Sequence, residues 1–160
     1  MTPILVEEVY QISGPASISV PEGTSLQEVV TRLALMPELR AVFLVDSHER
    51  FAGTLRRADL LKWLYFQLFG KLGGEKGSTG EVIHLALATK AKDLARGDWR
   101  YFGVKPSDTI QTALERMIAY GDAIIPVLDN EGKVLGDLRV TEILIKVLEF
   151  VETDQPPDER

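Results

Sequence analysis

Two similar stretches decide the fold: AVFLVDSHERFAGTLRRADLL at Ala41–Leu61 and IIPVLDNEGKVLGDLRVTEIL at Ile124–Leu144. In each, an apolar run ends in Asp, a Gly follows seven positions after that Asp, and a Leu-Arg pair begins two positions after the Gly. Any two amphipathic segments share apolar positions, but a shared Asp, Gly and Leu-Arg at fixed spacing is harder to obtain by chance. The chain therefore contains an internal repeat, with an offset of about 83 residues from Asp46 to Asp129.

The repeat continues upstream, where SISVPEGTSLQEVV from Ser17 matches YFGVKPSDTIQTAL from Tyr101. The first residues of both segments have strand character, which predicts strands at Ser17–Val20 and Tyr101–Val104. Residue pairs three positions apart, as in a capping box, predict where the following helices begin: Thr24 with Gln27, and Asp108 with Gln111. Pro37 and Gly121 mark the predicted ends of these helices.

The two stretches quoted first complete each copy. An apolar run of strand length comes first, SHER and NEGK follow as hairpin turns, and a second strand leads into a final helix. Each copy is thus predicted to be strand, helix, strand, strand, helix. One such unit is too small to bury both faces of its sheet, so two copies are expected to pack together in an α+β (α/β) fold.

The composition bounds the function. The 160 residues include no Cys and two His, which excludes disulfides, thiolate metal sites, a cysteine nucleophile and a His-rich metal site. The net charge of −6 argues against nucleic acid as a partner. The longest apolar stretch, Leu60–Phe69, is too short to span a bilayer, and MTPILVEEVY shows no signal peptide, so a cytoplasmic protein is expected.

Between the copies lies the glycine-rich stretch GKLGGEKGSTGE. Its order Lys76-Gly77-Ser78 follows a long helix and does not match a phosphate-binding loop, so a flexible linker is predicted. The expected organisation is a first repeat at 3–69, a linker at 70–80, a second repeat at 81–151 and a disordered tail at 152–160.

The ordered set of motifs resembles a tandem pair of CBS domains, also called a Bateman module. The resemblance is carried by VPEGTSLQEVV and VKPSDTIQTAL, by FLVD and IIPVLD, and by the strand-to-helix corners GTLRRAD and GDLRVTE. It implies two repeats related by pseudo-twofold symmetry, with adenosine nucleotides bound in clefts between them. It also implies homodimers built on the terminal helices of each repeat.

The corner residues have a chemical interpretation. A Gly on the strand lets a ligand approach the backbone, and a carboxylate at the start of the next helix can accept hydrogen bonds from ribose hydroxyls; Asp59 and Glu142 hold that position. Where the family usually has Thr or Ser, this chain has Arg56 and Arg139. Each Arg either reaches a phosphate or folds back onto the carboxylate and fills the cleft. Asp137 adds negative charge that would repel a phosphate.

The resemblance also implies apolar walls for the adenine ring. The candidate residues are Ser17, Ile18, Val42 and Phe43 at the first site, and Tyr101, Phe102, Ile124, Ile125 and Pro126 at the second. Ordinary core packing is the alternative interpretation of the aliphatic residues. Tyr101 and Phe102 either stack on a base or form a strand edge.

Two functions remain open from the sequence. The first is a regulatory module that binds AMP, ADP, ATP or S-adenosylmethionine, needs no cofactor, and acts on a separate effector protein. The second is a structural dimerisation module whose clefts bind nothing. An enzyme is disfavoured, because His48 in a predicted exposed turn and His84 lack a nucleophile or acid at triad-like spacing.

Overall fold

The structure, a computed structural model, describes residues 2–10, 12–70, 88–95 and 102–153. The first copy consists of β1 (Ser17–Pro21), α1 (Leu26–Leu35), β2 (Ala41–Val45), β3 (Phe51–Arg56) and α2 (Arg57–Phe69). A short helix, α3 (Ala91–Leu94), precedes the second copy, which contains α4 (Ile110–Tyr120), β4 (Ile124–Leu128), β5 (Val134–Arg139) and α5 (Val140–Thr153). A 3-10 turn, Val6–Glu8, lies near the start of the chain. The α+β class is confirmed, and so is the predicted order of elements except for the first strand of the second copy.

The sheet of the first copy has the order β1-β2-β3. β1 runs parallel to β2, with Ile18 beside Val42, and β2 runs antiparallel to β3, with Val42 beside Leu55. In the second copy β4 and β5 form the sheet. Val104 makes a parallel bridge to Val127 where β1 stands in the first copy. The strand predicted over Tyr101–Val104 is therefore a single bridge in the described part of the chain, since Tyr101 lies outside it.

The chain divides into two compact units that exchange their leading segments. The first-copy unit consists of residues 16–101 and 131–134. The second-copy unit consists of residues 1–15, 102–130 and 135–160. The segment that precedes β1 thus belongs to the unit of the other copy, as does the segment that contains α3.

Equivalent hydrogen bonds hold both leading segments. In the second-copy unit, the Ile110 N–H donates to the Ile4 carbonyl, and the Val6 N–H to the Asp108 carbonyl. The first-copy unit repeats this pattern: the Leu26 N–H donates to the Thr89 carbonyl, and the Ala91 N–H to the Thr24 carbonyl. Each leading segment is therefore tied to the residues at which the first helix of the other copy begins.

These bonds explain why the two helices begin one residue later than predicted. Ser25 caps α1 by accepting from the Glu28 N–H at 3.2 Å, and Thr109 caps α4 by accepting from the Thr112 N–H at 3.2 Å. The predicted capping boxes, Thr24 with Gln27 and Asp108 with Gln111, are wrong. Their first residues bind the leading segments through their carbonyls, as described above. The Asp108 carboxylate accepts instead from the Lys105 N–H at 2.8 Å.

The helix ends and the core follow the apolar pattern. α4 ends at Tyr120 and is capped by Gly121, which takes the left-handed conformation with φ of 74°, and α1 ends at Leu35, shortly before Pro37. Leu26, Val29 and Leu33 of α1 pack with the buried side chains of the first sheet. In the described residues, no helix is long and apolar enough to cross a membrane.

Candidate functional site

The β5-to-α5 corner of the second copy is organised by a buried carboxylate. Glu142 is fully buried, at 0% exposure. Its Oε1 accepts the Arg139 N–H and its Oε2 accepts the Ser13 N–H, both at 3.1 Å. The first bond is the one that a glutamate in the first helical turn makes to the residue at which the helix begins. Glu142 therefore fixes the start of α5 and ties the N-terminal segment to it.

Arg139 folds back onto the carboxylates of its own corner. Its Nε lies 3.2 Å from Asp137 Oδ1 and 3.6 Å from Glu142 Oε1, and its Nη2 donates to the Gly14 carbonyl. Asp137 is 3% exposed and Glu142 0%, so both carboxylates are shielded from water. We call Asp137, Arg139 and Glu142 the corner cluster. It places two carboxylates around one guanidinium.

Burial raises the pKa of Glu142 above its ordinary value, and the neighbouring Asp137 charge acts in the same direction. The Ser13 and Arg139 N–H groups and the Arg139 charge oppose this rise, because they stabilise the ionised form. The net shift is upward. Ionisation of this carboxylate is therefore harder in the folded protein than in water.

A cavity of 380 Å³ opens beside the corner cluster, within the second-copy unit. Its walls are the loop before β1 and the middle of β5; the lining residues are Tyr10, Ile12, Ser13, Gly14, Pro15, Leu135, Gly136 and Asp137. We call it the arm cavity. Its volume lies in the range of roughly 300–1,000 Å³ that small-molecule sites occupy.

Gly136 allows two parts of the cavity wall to approach each other closely. A Cβ atom at this position would stand 3.3 Å from Cε2 of Tyr10, closer than most such contacts. The Tyr10 ring thus lies against the bare backbone of β5. The sequence analysis expects the strand glycine, here Gly136, to let a ligand approach the backbone. In this structure the Tyr10 ring occupies that position.

The first-copy corner has the same design with one carboxylate fewer. Asp59 Oδ2 accepts the Arg56 N–H at 2.8 Å and lies 3.5 Å from Arg56 Nε. Thr54 takes the position that Asp137 holds in the second copy, and it is buried. Both arginines therefore contact the carboxylate of their own corner, the second of the two arrangements that the sequence left open.

The predicted adenine walls lie in the sheets. Val42 and Phe43 are buried in β2, and Phe43 contacts Phe51 edge to face, with ring centroids 5.9 Å apart. Ile18 is half-buried and packs with Val42 in the core of the first-copy unit, while Ser17 begins β1. Ile124, Ile125 and Pro126 form the first part of β4, a strand that is buried throughout. Phe102 is buried and stacks on Tyr120.

None of these described wall residues lines the arm cavity, and Tyr101 lies outside the described residues. Their assignment to a ligand stays a prediction. The residues that sequence reasoning missed are those of the loop from Tyr10 to Pro15. Its assignment to the second-copy unit depends on the exchange of leading segments, which the repeat does not predict.

Of the two histidines, only His48 lies in the described part of the chain. His48 is exposed in the β2–β3 turn, as expected, and its Nδ1 lies 3.3 Å from Ser47 Oγ. His84 lies outside the described residues, as do most of the predicted linker and the end of the predicted tail. His48 is not among the described residues that line the arm cavity.

Comparison with known proteins identifies what this arrangement is similar to. The family model described as CBS domain matches residues 7–65 and 98–149. A CBS domain-containing protein from Thermotoga maritima has a similar structure, with a TM-score of 0.70 and 23% identity over 93% of this chain and 97% of that chain. No match was found among curated proteins.

Two further structures contain ligands. The CBS domain pair of protein MJ0100, in complex with 5′-methylthioadenosine and S-adenosyl-L-methionine, has a TM-score of 0.65 and 15% identity over 91% of this chain and 97% of that chain. The CBS domain protein PAE2072 from Pyrobaculum aerophilum, complexed with AMP, has a TM-score of 0.63 and 20% identity over 91% and 99%. At these identities the likeness concerns the fold.

Proposed function

The chain belongs to the CBS domain family, which it matches in two regions, and from this premise we propose that it is a regulatory module that senses an adenosine nucleotide or a related adenosyl metabolite. The observation that carries the proposal is the arm cavity beside the corner cluster. The cavity has the volume of a small-molecule site and combines an aromatic ring, apolar side chains and a carboxylate. The ligands in the structures of similar fold are of the same class.

The arm cavity offers a physical route from binding to response. Its wall includes Ser13 and Gly14, which the corner cluster holds through the Glu142 carboxylate and the Arg139 guanidinium. A ligand that competes for these groups changes how firmly the N-terminal segment is held. Such a ligand regulates by binding two conformations with different affinity, and no chemistry on the ligand is required.

Calorimetric titration with AMP, ADP, ATP and S-adenosylmethionine tests the proposal. We expect heat and a rise in melting temperature with at least one of them at micromolar concentration, because a ligand that binds only the folded state stabilises it. The variant Gly136→Val should remove this binding, since its side chain extends towards Tyr10 and into the cavity. Gly23→Val is the matched control, because a Cβ there meets nothing within 4 Å. Absence of binding with every ligand would overturn the proposal.

A second function is favoured by a separate observation. Both corner arginines already contact carboxylates, and two helices expose apolar side chains. The exposed residues are Leu61, Leu68 and Phe69 on α2, and Leu144, Ile145, Val147, Leu148, Phe150 and Val151 on α5. These features support a homodimerisation module whose corners are structural. In that case the chain forms a dimer but binds none of the four ligands.

A further inference from the structure

The charge of the residues that line the arm cavity distinguishes adenosyl ligands with phosphate from those without it. Asp137 is the one charged residue among the described residues that line it. The guanidinium behind it, on Arg139, already lies 3.2 Å from Asp137 and 3.6 Å from Glu142. A phosphate in the cavity would therefore lie close to the buried Asp137 carboxylate, while the charge of the neighbouring cation is already matched.

The start of α5 gives a phosphate no compensation. The N-terminus of a helix often binds anions because its first N–H groups point outward. In α5 the Arg139 N–H donates to Glu142 Oε1, so a carboxylate of the chain itself occupies the position of the anion. The same carboxylate takes the Ser13 N–H from the cavity wall.

The rest of the wall suits an uncharged ligand. Ile12, Pro15 and Leu135 are apolar, and the Tyr10 ring lies close to Gly136. Aromatic and aliphatic surface of this kind binds a base and a sugar edge by burial and stacking. Within 380 Å³ such a wall accommodates a nucleoside without the phosphate groups that Asp137 would repel.

We propose that the arm cavity selects an adenosyl ligand without phosphate, neutral or positively charged at its 5′ substituent, and that Asp137 sets this preference. The inference rests on the proposed function and narrows it. It separates adenosine, 5′-methylthioadenosine and S-adenosylmethionine from AMP and ATP. The first-copy corner, with Thr54 in place of Asp137, lacks this particular charge.

The test measures ligand preference at this cavity alone. Adenosine, S-adenosylmethionine, AMP and ATP are titrated into the wild type and Gly136→Val, and the binding lost in the glycine variant is assigned to the arm cavity. We expect the phosphate-free ligands to bind there at least about tenfold more tightly than AMP. Asp137→Asn should reduce that ratio to within about threefold, because the amide keeps the shape and loses the charge. Glu131→Gln, which removes an exposed charge, should leave the ratio unchanged.

A second variant keeps the test decisive if Asp137→Asn does not fold. Leu135 lines the cavity and is 47% exposed, so Leu135→Lys adds a cation to the wall at little packing cost. We expect this variant to gain AMP affinity. Equal or tighter binding of AMP by the wild-type cavity, or an unchanged ratio in Asp137→Asn, overturns the inference while the proposed function stands. Absence of every adenosyl ligand overturns both.

Discussion

Both oxygens of the Glu142 carboxylate accept backbone N–H groups, so this side chain stabilises the fold in the absence of a ligand. One oxygen accepts the Arg139 N–H at the start of α5, and the other accepts the Ser13 N–H. The sequence predicts Glu142 at the strand-to-helix corner and leaves two arrangements of Arg139 open. The sequence does not reveal which arrangement applies. The position of the Arg139 side chain depends on its hydrogen bond to the Gly14 carbonyl, and Gly14 lies 125 positions away in the sequence.

The raised pKa of Glu142 leads to a prediction about stability. The folded state keeps this proton to a higher pH than the unfolded chain, in which the carboxyl has its ordinary pKa. The folded state therefore binds more protons, and its stability falls as pH rises from the unfolded pKa through the raised folded pKa. Glu142→Gln cannot ionise and lacks this loss. Urea unfolding from pH 4 to 8 should show the wild type losing free energy of unfolding relative to Glu142→Gln as pH rises.

The exposed-charge variant Glu131→Gln controls for removal of a negative charge. A relative stability of the wild type that increases with pH would contradict the assignment of the shift to burial. The absolute offset between wild type and Glu142→Gln is a separate quantity, because the amide replaces one of the two accepting oxygens with a donor.

At the scale of elements, the two hairpin turns show how the copies have diverged. Glu49 and Gly132 occupy equivalent turn positions and both have positive φ, 62° and 83°. A left-handed conformation costs a residue with a Cβ about 1–2 kcal/mol, whereas glycine adopts it freely. The second turn therefore has the residue that this geometry favours, and the first turn is strained.

Glu49→Gly should stabilise the protein by about 0.5–1 kcal/mol, the relief of strain less the greater entropy of glycine in the unfolded chain. Gly132→Ala is the matched control and should destabilise by about 1 kcal/mol, because space is available for its Cβ, 3.8 Å from Arg50, and only the backbone is strained. Chemical denaturation measures both. A lower unfolding free energy for Glu49→Gly would show that the Glu49 side chain contributes more than its backbone costs.

The elements themselves were largely predictable, and the exceptions have one cause. Apolar periodicity located both helices of each copy and the hairpin strands, because burial of one face determines those patterns. The sequence predicts helix starts at Thr24 and Asp108, one residue before the observed caps Ser25 and Thr109. The backbone carbonyls of these two residues bind the exchanged segments, and no local pattern carries that information.

At the scale of the whole molecule, the repeat predicted two copies but not the units they form. The cut falls between Pro15 and Ala16, so that Val6 and Val9, both at 0% exposure, belong to the core of the second-copy unit. Comparison of the two copies shows which residues are equivalent. It does not show that each leading segment belongs to the unit of the other copy, because the hydrogen bonds that hold the two segments are equivalent. The arm cavity is not predictable from the repeat for the same reason, since its walls come from segments that are far apart in the sequence.

The exposed apolar faces of α2 and α5 lead to the last prediction, that the chain forms a homodimer through α5. Leu148, 59% exposed, lies one turn from Leu144 and Val151 on the same side of the helix, and a contiguous apolar face of this kind is typical of an interface. Leu148→Glu should convert a dimer into a monomer, because a carboxylate buried at an interface without a partner costs several kcal/mol. Leu35→Glu on α1, where Leu35 is 77% exposed, is the matched control and should leave the dimer intact. Light scattering after size exclusion measures the mass; a wild type with the mass of one chain, or equal dissociation by both variants, would contradict an interface at α5.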